Sequence, residues 1–403
     1  MNHIVFTNDG KKLTLGKVIG KGGEGAVYGV SETKDIVVKI YNPGKAIERE
    51  DKIKAMVSLR LHERPGSVAF PINALRDQNG TFLGFSMKRV AGFSNIHDLY
   101  GPGSRKTKFP TADFRFLVRA AINLAGAVSN VHASGCVIGD INHSGILVSN
   151  RALVTLIDCD SFQFRYGSKL FRCQVGVPEY TPTELQDKSF KDVDRTVNHD
   201  NFGLAVLIFQ LLFLGRHPYS GKFQGSGDMD IQRAIRERRY AYSNRRSETQ
   251  MLPPPFVPLP GDFGNSIRAT FEQAFAKVSE LGTRRPSASD WVARLSELEK
   301  ILTVCSSNRS HHYPKLSPHC PWCRIEKAVG RPLFYMRHMT ARPTIDIGKL
   351  LDQINMFPSP PRSPFRRRDH VQFSGTTNSF TGRKISKKTA QCALFWCSYK
   401  YVF

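Results

Sequence analysis

Two runs of alternating apolar residues flank a glycine cluster near the start of the chain, and no other feature restricts the fold as tightly. Residues 13–41 read Leu-Thr-Leu-Gly-Lys-Val-Ile-Gly, then Lys-Gly-Gly-Glu-Gly-Ala-Val-Tyr, then, after a short connection, Asp-Ile-Val-Val-Lys-Ile-Tyr. Period-two alternation on either side of glycines predicts antiparallel strands joined by a tight turn. Gly20, Gly22 and Gly25, followed by Val27, fit the spacing G-x-G-x-x-G-x-V. Without Cβ atoms such a turn can lie close over a nucleotide, its backbone N–H groups aimed at phosphate oxygens. Dinucleotide-binding folds use a similar spacing between a strand and a helix; here a strand follows. That strand carries Lys39 in Val-Val-Lys-Ile, where a buried strand can aim one ammonium at phosphates.

A helix is expected over 46–61, with Ile53, Met56, Val57 and Leu61 on its apolar face. Glu50, one turn before Ile53, is the candidate partner for Lys39, with Glu48 the alternative. Farther on, Asp140 lies on a loop before one short apolar strand (146–148), and Asp158 ends another. Two carboxylates so placed can converge on one site. One can accept a hydroxyl proton while the other holds a divalent cation bridging phosphates.

These motifs, in this order, resemble the eukaryotic-type protein kinase family over roughly residues 13–300. The glycine loop, Val-Val-Lys39-Ile and the spacing His132-x-x-Gly135-x-x-x-x-Asp140 match it. Leu-Ile-Asp158 stands for D-F-G, and Gly176-Val-Pro-Glu-Tyr-Thr-Pro-Thr-Glu184 stands for the segment ending in A-P-E. His199-Asp200-Asn-Phe-Gly resembles the buried helix whose Asp braces the catalytic loop, and Arg285 the Arg that pairs with that Glu184. The resemblance implies an α+β bilobal fold: a small antiparallel lobe of five strands and one helix (1–88), and a larger, mainly helical lobe (89–304). It implies ATP and Mg²⁺ as cofactors, Asp140 as base, Asp158 as metal ligand, and Lys39–Glu50 as the phosphate-positioning pair. Met87, Lys88 and Val90 would form the hinge against adenine. The implied reaction is γ-phosphate transfer to Ser/Thr hydroxyls of protein substrates and to the chain itself.

Departures are equally legible. Ile138-Gly139-Asp140 replaces H-R-D, so the Arg that answers an activation-segment phosphate is missing. Gly145 stands where the family has a metal-binding Asn, and Asn142 where it has a Lys. Asn142 and Ser144 are the candidate replacement oxygen ligands. Cys159 and Asp160 replace the Phe and Gly of D-F-G, with Asp160 a further acid for a second cation. A catalytically impaired pseudokinase acting as a nucleotide-binding scaffold is the alternative reading. Gly-Asp-Ile-Asn-His-Ser-Gly, Asp-Cys-Asp-Ser-Phe-Gln and Gly-Arg-His-Pro-Tyr resemble a divergent bacterial branch. Its members are associated with a PP2C-type phosphatase and a von Willebrand A-type protein.

Beyond the kinase-like region, Cys305-x₅-His311-x₈-Cys320-Pro-Trp-Cys323 offers three sulfurs and an imidazole, the count a closed tetrahedral Zn²⁺ site needs. A zinc knuckle is expected over 305–328, with His312 and His319 as alternatives to His311. The remaining Cys are scattered, and eight in 403 residues are too few for a disulfide scaffold. No apolar run at the N-terminus is long enough for a leader, and the longest one, 202–214, reads as a buried helix; a cytoplasmic protein is expected. The net charge is +24, and residues 327–403 carry 14 Lys/Arg against 3 Asp/Glu. That segment (329–403), with Pro-Ser-Pro-Pro-Arg-Ser-Pro and Arg366-Arg367-Arg368, reads as a disordered basic tail suited to nucleic acid or an acidic partner.

Overall fold

Residues 4–64, 67–276 and 284–335 are described here from a computed structural model of the 403-residue chain. The N-terminal strands form a closed antiparallel barrel of six: β1 (Ile4–Thr7), β2 (Lys12–Gly22), β3 (Gly25–Val30), β4 (Thr33–Tyr41), β5 (Pro71–Arg76) and β6 (Phe82–Lys88). The sequence gives notice of only five. The extra strand, β1, pairs with β2 through Ile4↔Thr14 and with β5 through Phe6↔Arg76, so it seals the sheet's open edge. Four residues are too short to show a period, but Val5 drops into a small core with Leu13, Val30, Val38 and Leu75.

One helix, α1 (Pro43–Ser58), follows β4 and packs on β5 and β6. It starts three residues before the apolar period does, because Pro43 occupies the first helical turn, where its fixed φ suits the helix and its missing N–H is not needed.

The larger lobe is built on α2 (Phe114–Ala133), α3 (Val197–Leu212), α4 (Asn265–Phe275) and α5 (Ala288–Lys300). A three-stranded sheet of β7 (Phe93–Asn95), β8 (Ile146–Ser149) and β9 (Val154–Leu156) carries the two acid-bearing loops. Helix α3 is buried on every side from Asp200 to Leu212, so the 202–214 run is core. Gln210, a buried amide within it, accepts a hydrogen bond from the Tyr180 hydroxyl at 3.0 Å, which offsets part of the desolvation cost of burying it. Among the described residues, no helix is long and apolar enough to cross a membrane.

The described residues belong to one compact unit; nearly all of the basic tail lies outside them. The tail's expected start at 329 is too early. Past the last helix, Leu333 and Phe334 are buried. The Leu333 carbonyl accepts from Arg105 at 3.0 Å, and the Phe334 ring lies under the same guanidinium. Two apolar residues in a basic stretch were too few to mark a packed strap.

Candidate active site

Strand pairing fixes the glycine turn over Lys39. β3 and β4 run antiparallel with Val27 opposite Lys39 and Gly25 opposite Tyr41. A Cβ on Gly25 would land on the Ile40 carbonyl, so this glycine is dictated by close strand approach, whereas Gly20 and Gly22 have open space where a side chain would go. Lys39 and Tyr41, two apart on β4, share a face, and both reach Asp160. The Lys39 Nζ donates to Asp160 Oδ2 at 2.8 Å, and the Tyr41 hydroxyl to the same oxygen at 2.6 Å. Burial raises the Asp160 carboxyl, but Lys39 and Tyr41 outweigh it and hold the group below its ordinary value. Burial likewise lowers Lys39, and Asp160 with Asp158 more than reverses that.

Glu50 is not the partner of Lys39. It pairs with Lys54 at 2.7 Å and Arg76 at 3.2 Å, and Glu48 pairs with Lys45. The buried face of α1 presents Ala46, Arg49, Lys52, Ile53 and Met56, two cations and no acid. With Asp160 supplying the anion from the opposite lobe, Lys39 needs none from the helix. Arg49 instead donates to Glu24 Oε1, in the glycine turn, at 2.6 Å.

Asp200, at the start of α3, organises the catalytic loop as expected: it accepts from the Ile138 and Gly139 N–H groups at 2.7 Å each, with His132 Nε2 at 2.9 Å. The helix start is fixed by a reciprocal cap between Thr196 and His199. Gly139 has φ +77°, and a Cβ there would sit 2.5 Å from the Cys173 Cβ. A side chain at position 139 would therefore run into Cys173. Buried Arg195 braces the same loop, donating to the Gly139 carbonyl and the Val175 carbonyl at 3.0 Å each. Glu184 and Arg285 form the expected two-pronged pair, at 2.6 and 2.9 Å.

Asp140 and Asp158 face the same cleft as Gly20, Gly22, Gly25, Val27, Lys39 and Asp160. Burial raises the Asp140 carboxyl, while the Asn142 amide, donating to Oδ1 at 2.8 Å, pulls it back. The Asn142 Oδ1 accepts from the Ser144 N–H and hydroxyl. That oxygen is therefore already occupied, and its role as a metal ligand finds no support in this arrangement. Asp158 adopts φ +59°, a left-handed conformation that Asp tolerates, and its side chain is 61% exposed, 3.8 Å from Lys39. Met87 and Lys88 end β6, paired with Val37 and Ile36, and Val90 follows; none of the three lines this part of the cleft.

The Cys/His segment forms a hairpin, β10 (Leu302–Val304) with β11 (His312–Pro314), followed by α6 (Pro321–Val329). Cys305, His311, Cys320 and Cys323 present ligand atoms within 4.8 Å of one another. The separations are 3.6 Å for Cys305–Cys323, 3.6 Å for Cys320–His311 Nδ1 and 3.4 Å for Cys323–His311 Nδ1. A tetrahedral ion bound at about 2.3 Å by sulfur would space its ligands by about 3.8 Å, so the donor set fits zinc. His311, not His312 or His319, joins the cluster. Its Nε2 lies 2.9 Å from Glu326 Oε1, the outer carboxylate that fixes a ligating imidazole.

No family model matches the sequence. Protein kinase YegI of Escherichia coli strain K12 is 40% identical over 327 residues, 80% of this chain and 50% of that protein. YegI of strain O157:H7 is 40% identical over 334 residues, 81% and 51% respectively. The chain belongs to a divergent bacterial protein kinase family. It spans about half the length of these curated relatives. The ROP18 kinase domain, solved in complex with AMP-PNP and sucrose, superposes with a TM-score of 0.50 at 13% identity, over 74% of this chain and 84% of that one. That likeness carries the kinase fold alone.

For a kinase fold, three functional positions went unread in the sequence. Asp160, which reads in the sequence as a further acid for a second cation, instead pairs with Lys39. Arg195 lies outside any family motif. Arg49 did leave a signal: 46, 49, 53 and 56 form one helical stripe, and a cation on it marks a charge facing inward.

Proposed function

We propose that this chain binds ATP with Mg²⁺ and transfers the γ-phosphoryl group to Ser/Thr hydroxyls of protein substrates, including its own. The observation that carries the reading is the convergence of Lys39, Asp140 and Asp158 under the glycine turn, from segments far apart in sequence. Asp158 is the exposed carboxylate suited to the cation, whose chemistry is to neutralise charge on the triphosphate. Lys39, locked by Asp160 and Tyr41, presents a fixed ammonium to the phosphates. Asp140, its pKa raised by burial and one oxygen held by Asn142, is positioned to take the hydroxyl proton; such help is worth roughly 10²–10⁴ in rate. Met87, Lys88 and Val90 would border the adenine.

Incubation of the full chain with labelled ATP, Mg²⁺ and a protein substrate, beside Asp140→Ala and Asp158→Ala, tests this. Loss of label in both variants supports the transferase. Equal labelling of all three removes it, and nucleotide binding without transfer leaves the pseudokinase scaffold, which the occupied Asn142 oxygen favours.

A structural Zn²⁺ at Cys305, His311, Cys320 and Cys323 is part of the same proposal. Metal analysis of the full chain should return about one equivalent, lost on Cys320→Ser plus Cys323→Ser; a metal-free folded preparation would count against it. The PP2C-type phosphatase and the von Willebrand A-type protein rest on the family resemblance alone, and nucleic acid as a partner for the tail and a cytoplasmic setting on the sequence alone.

A further inference from the structure

We propose that Arg49 is a nucleotide-phosphate ligand, carried into the cleft by α1 at the face where an acid was expected. The inference rests on the nucleotide-binding part of the reading above and extends it to a residue no motif marks.

Arg49 lies in the wall of the cleft that holds Gly22, Lys39, Asp140 and Asp158. Its side chain is 11% exposed, and of its five N–H donors the turn acid Glu24 engages only Nη2. Its Nε is buried and makes no hydrogen bond. Leaving a buried charged donor unmade is costly, so an acceptor belongs there. A phosphate supplies two or three, in the planar, forked geometry a guanidinium matches best.

The charge balance of the cleft points the same way. Asp140, Asp158, Asp160 and Glu24, four acids, share the cleft with three cations, Lys21 on the glycine turn, Lys39 and Arg49, and Lys39 is already committed to Asp160. Asn142 occupies the place where a further cation was expected, and its amide is turned to Asp140. A triphosphate entering this site meets more anions than cations, which makes a guanidinium that can turn to it valuable there. Glu24 is then the placeholder. It sits in the glycine turn, 30% exposed, so it can swing to solvent when phosphate takes over the guanidinium.

A purely structural latch and a phosphate ligand predict opposite patterns. Breaking a latch from either end acts alike. Removing a ligand weakens binding, whereas removing its competitor strengthens it. Titration calorimetry on the full chain with MgATP and with adenosine separates the two. Arg49→Met should weaken MgATP by about 10- to 100-fold, the range for a hydrogen bond to a charged group, and Glu24→Gln should tighten it by about 3- to 10-fold. Adenosine affinity should stay unchanged in both. Weakening by both variants, or indifference to either, overturns the assignment. If Arg49→Met does not fold, Glu24→Gln decides alone: tighter supports the assignment, unchanged or weaker ends it. Calorimetry needs no turnover, so a catalytically silent chain showing this pattern defeats only the transferase reading. An active chain with indifferent variants defeats only the role of Arg49. A chain that binds no MgATP defeats both.

Discussion

Asp160 accepts hydrogen bonds from Lys39 and Tyr41 on the same carboxylate oxygen, at 2.8 and 2.6 Å. The anchor of the phosphate-facing ammonium therefore stands on the acid-bearing loop after β9, two residues past the proposed metal ligand, and not on α1. Lys39 is positioned wherever that loop is, whatever α1 does.

Removing this anchor should matter far more than removing the helix acid. Asp160→Asn keeps the shape but removes the negative charge; severing a buried charge-assisted bond costs about 1.5–3 kcal/mol, so kcat/KM for ATP should fall by roughly 10- to 100-fold. Glu50→Gln, which disturbs only an ion pair with Lys54 and Arg76 on the outer side of the helix, should leave it within about threefold. Steady-state kinetics on the two variants give the ranking, and a reversed order would restore the helix acid to the role assigned from the sequence.

Gly139 is held by two independent constraints, φ +77° and the Cys173 side chain at 2.5 Å from any Cβ. Gly139→Ala should cost about 2–4 kcal/mol from strain and overlap together. Cys173→Gly in the same chain relieves only the overlap, so the double variant should recover part of the loss. Urea unfolding of the four proteins forms the cycle. A cost below about 0.5 kcal/mol for the single change would show that the loop does not rely on this fit.

The Cys/His module is not an appendage. Trp322, fully buried on α6, packs against Phe114 of α2 at 4.7 Å between centroids and near Phe263 at 6.1 Å, and its indole N–H donates to the His312 carbonyl at 2.6 Å. If the proposed Zn²⁺ is bound there, losing it should loosen the large lobe itself. Chelation, or Cys320→Ser with Cys323→Ser, is expected to lower the thermal midpoint by several degrees and to raise amide exchange in the first turns of α2. Exchange confined to 302–335, with α2 unchanged, would mean the ring stacking transmits nothing.

Much of this was legible because kinase chemistry needs particular residues at particular spacings. Lys39, Asp140, Asp158, Asp200 and the Glu184–Arg285 pair could be read off the chain, and so could the Cys₃His donors, since metal ligation fixes residue type. What escaped reading was substitution by spatial neighbours. Asp160 pairs with Lys39 where Glu50 was expected, and Arg195 braces the loop at Gly139 from 56 residues away, because such contacts depend on distance in space and leave no spacing. The sixth strand was lost for another reason: Ile4–Thr7 is too short for alternation to register, and only its pairing with both β2 and β5 gives it meaning.

Lys52 provides a pH-dependent test of how α1 is tied to the segment after Asp158. Its Nζ is buried and donates to the Ser161 and Arg172 carbonyls at 2.9 and 3.1 Å, with no carboxylate bonded to it. Burial lowers its pKa to about 8, with Cys173 opposing the fall and Arg49 adding to it. In the unfolded chain the amine keeps its ordinary value near 10.5. Between the two the unfolded state binds more protons, so this group makes stability rise with pH; its penalty is fully present below about pH 8 and disappears towards pH 10.5. Lys52→Met abolishes that contribution while keeping most of the buried volume. The stability of the parent chain relative to Lys52→Met, from urea unfolding at pH 7, 8, 9 and 10, should therefore be flat up to about 8 and climb afterwards. A difference that stays constant across the range would mean that the lysine keeps its proton within the fold and that the two carbonyls hold it as an ammonium.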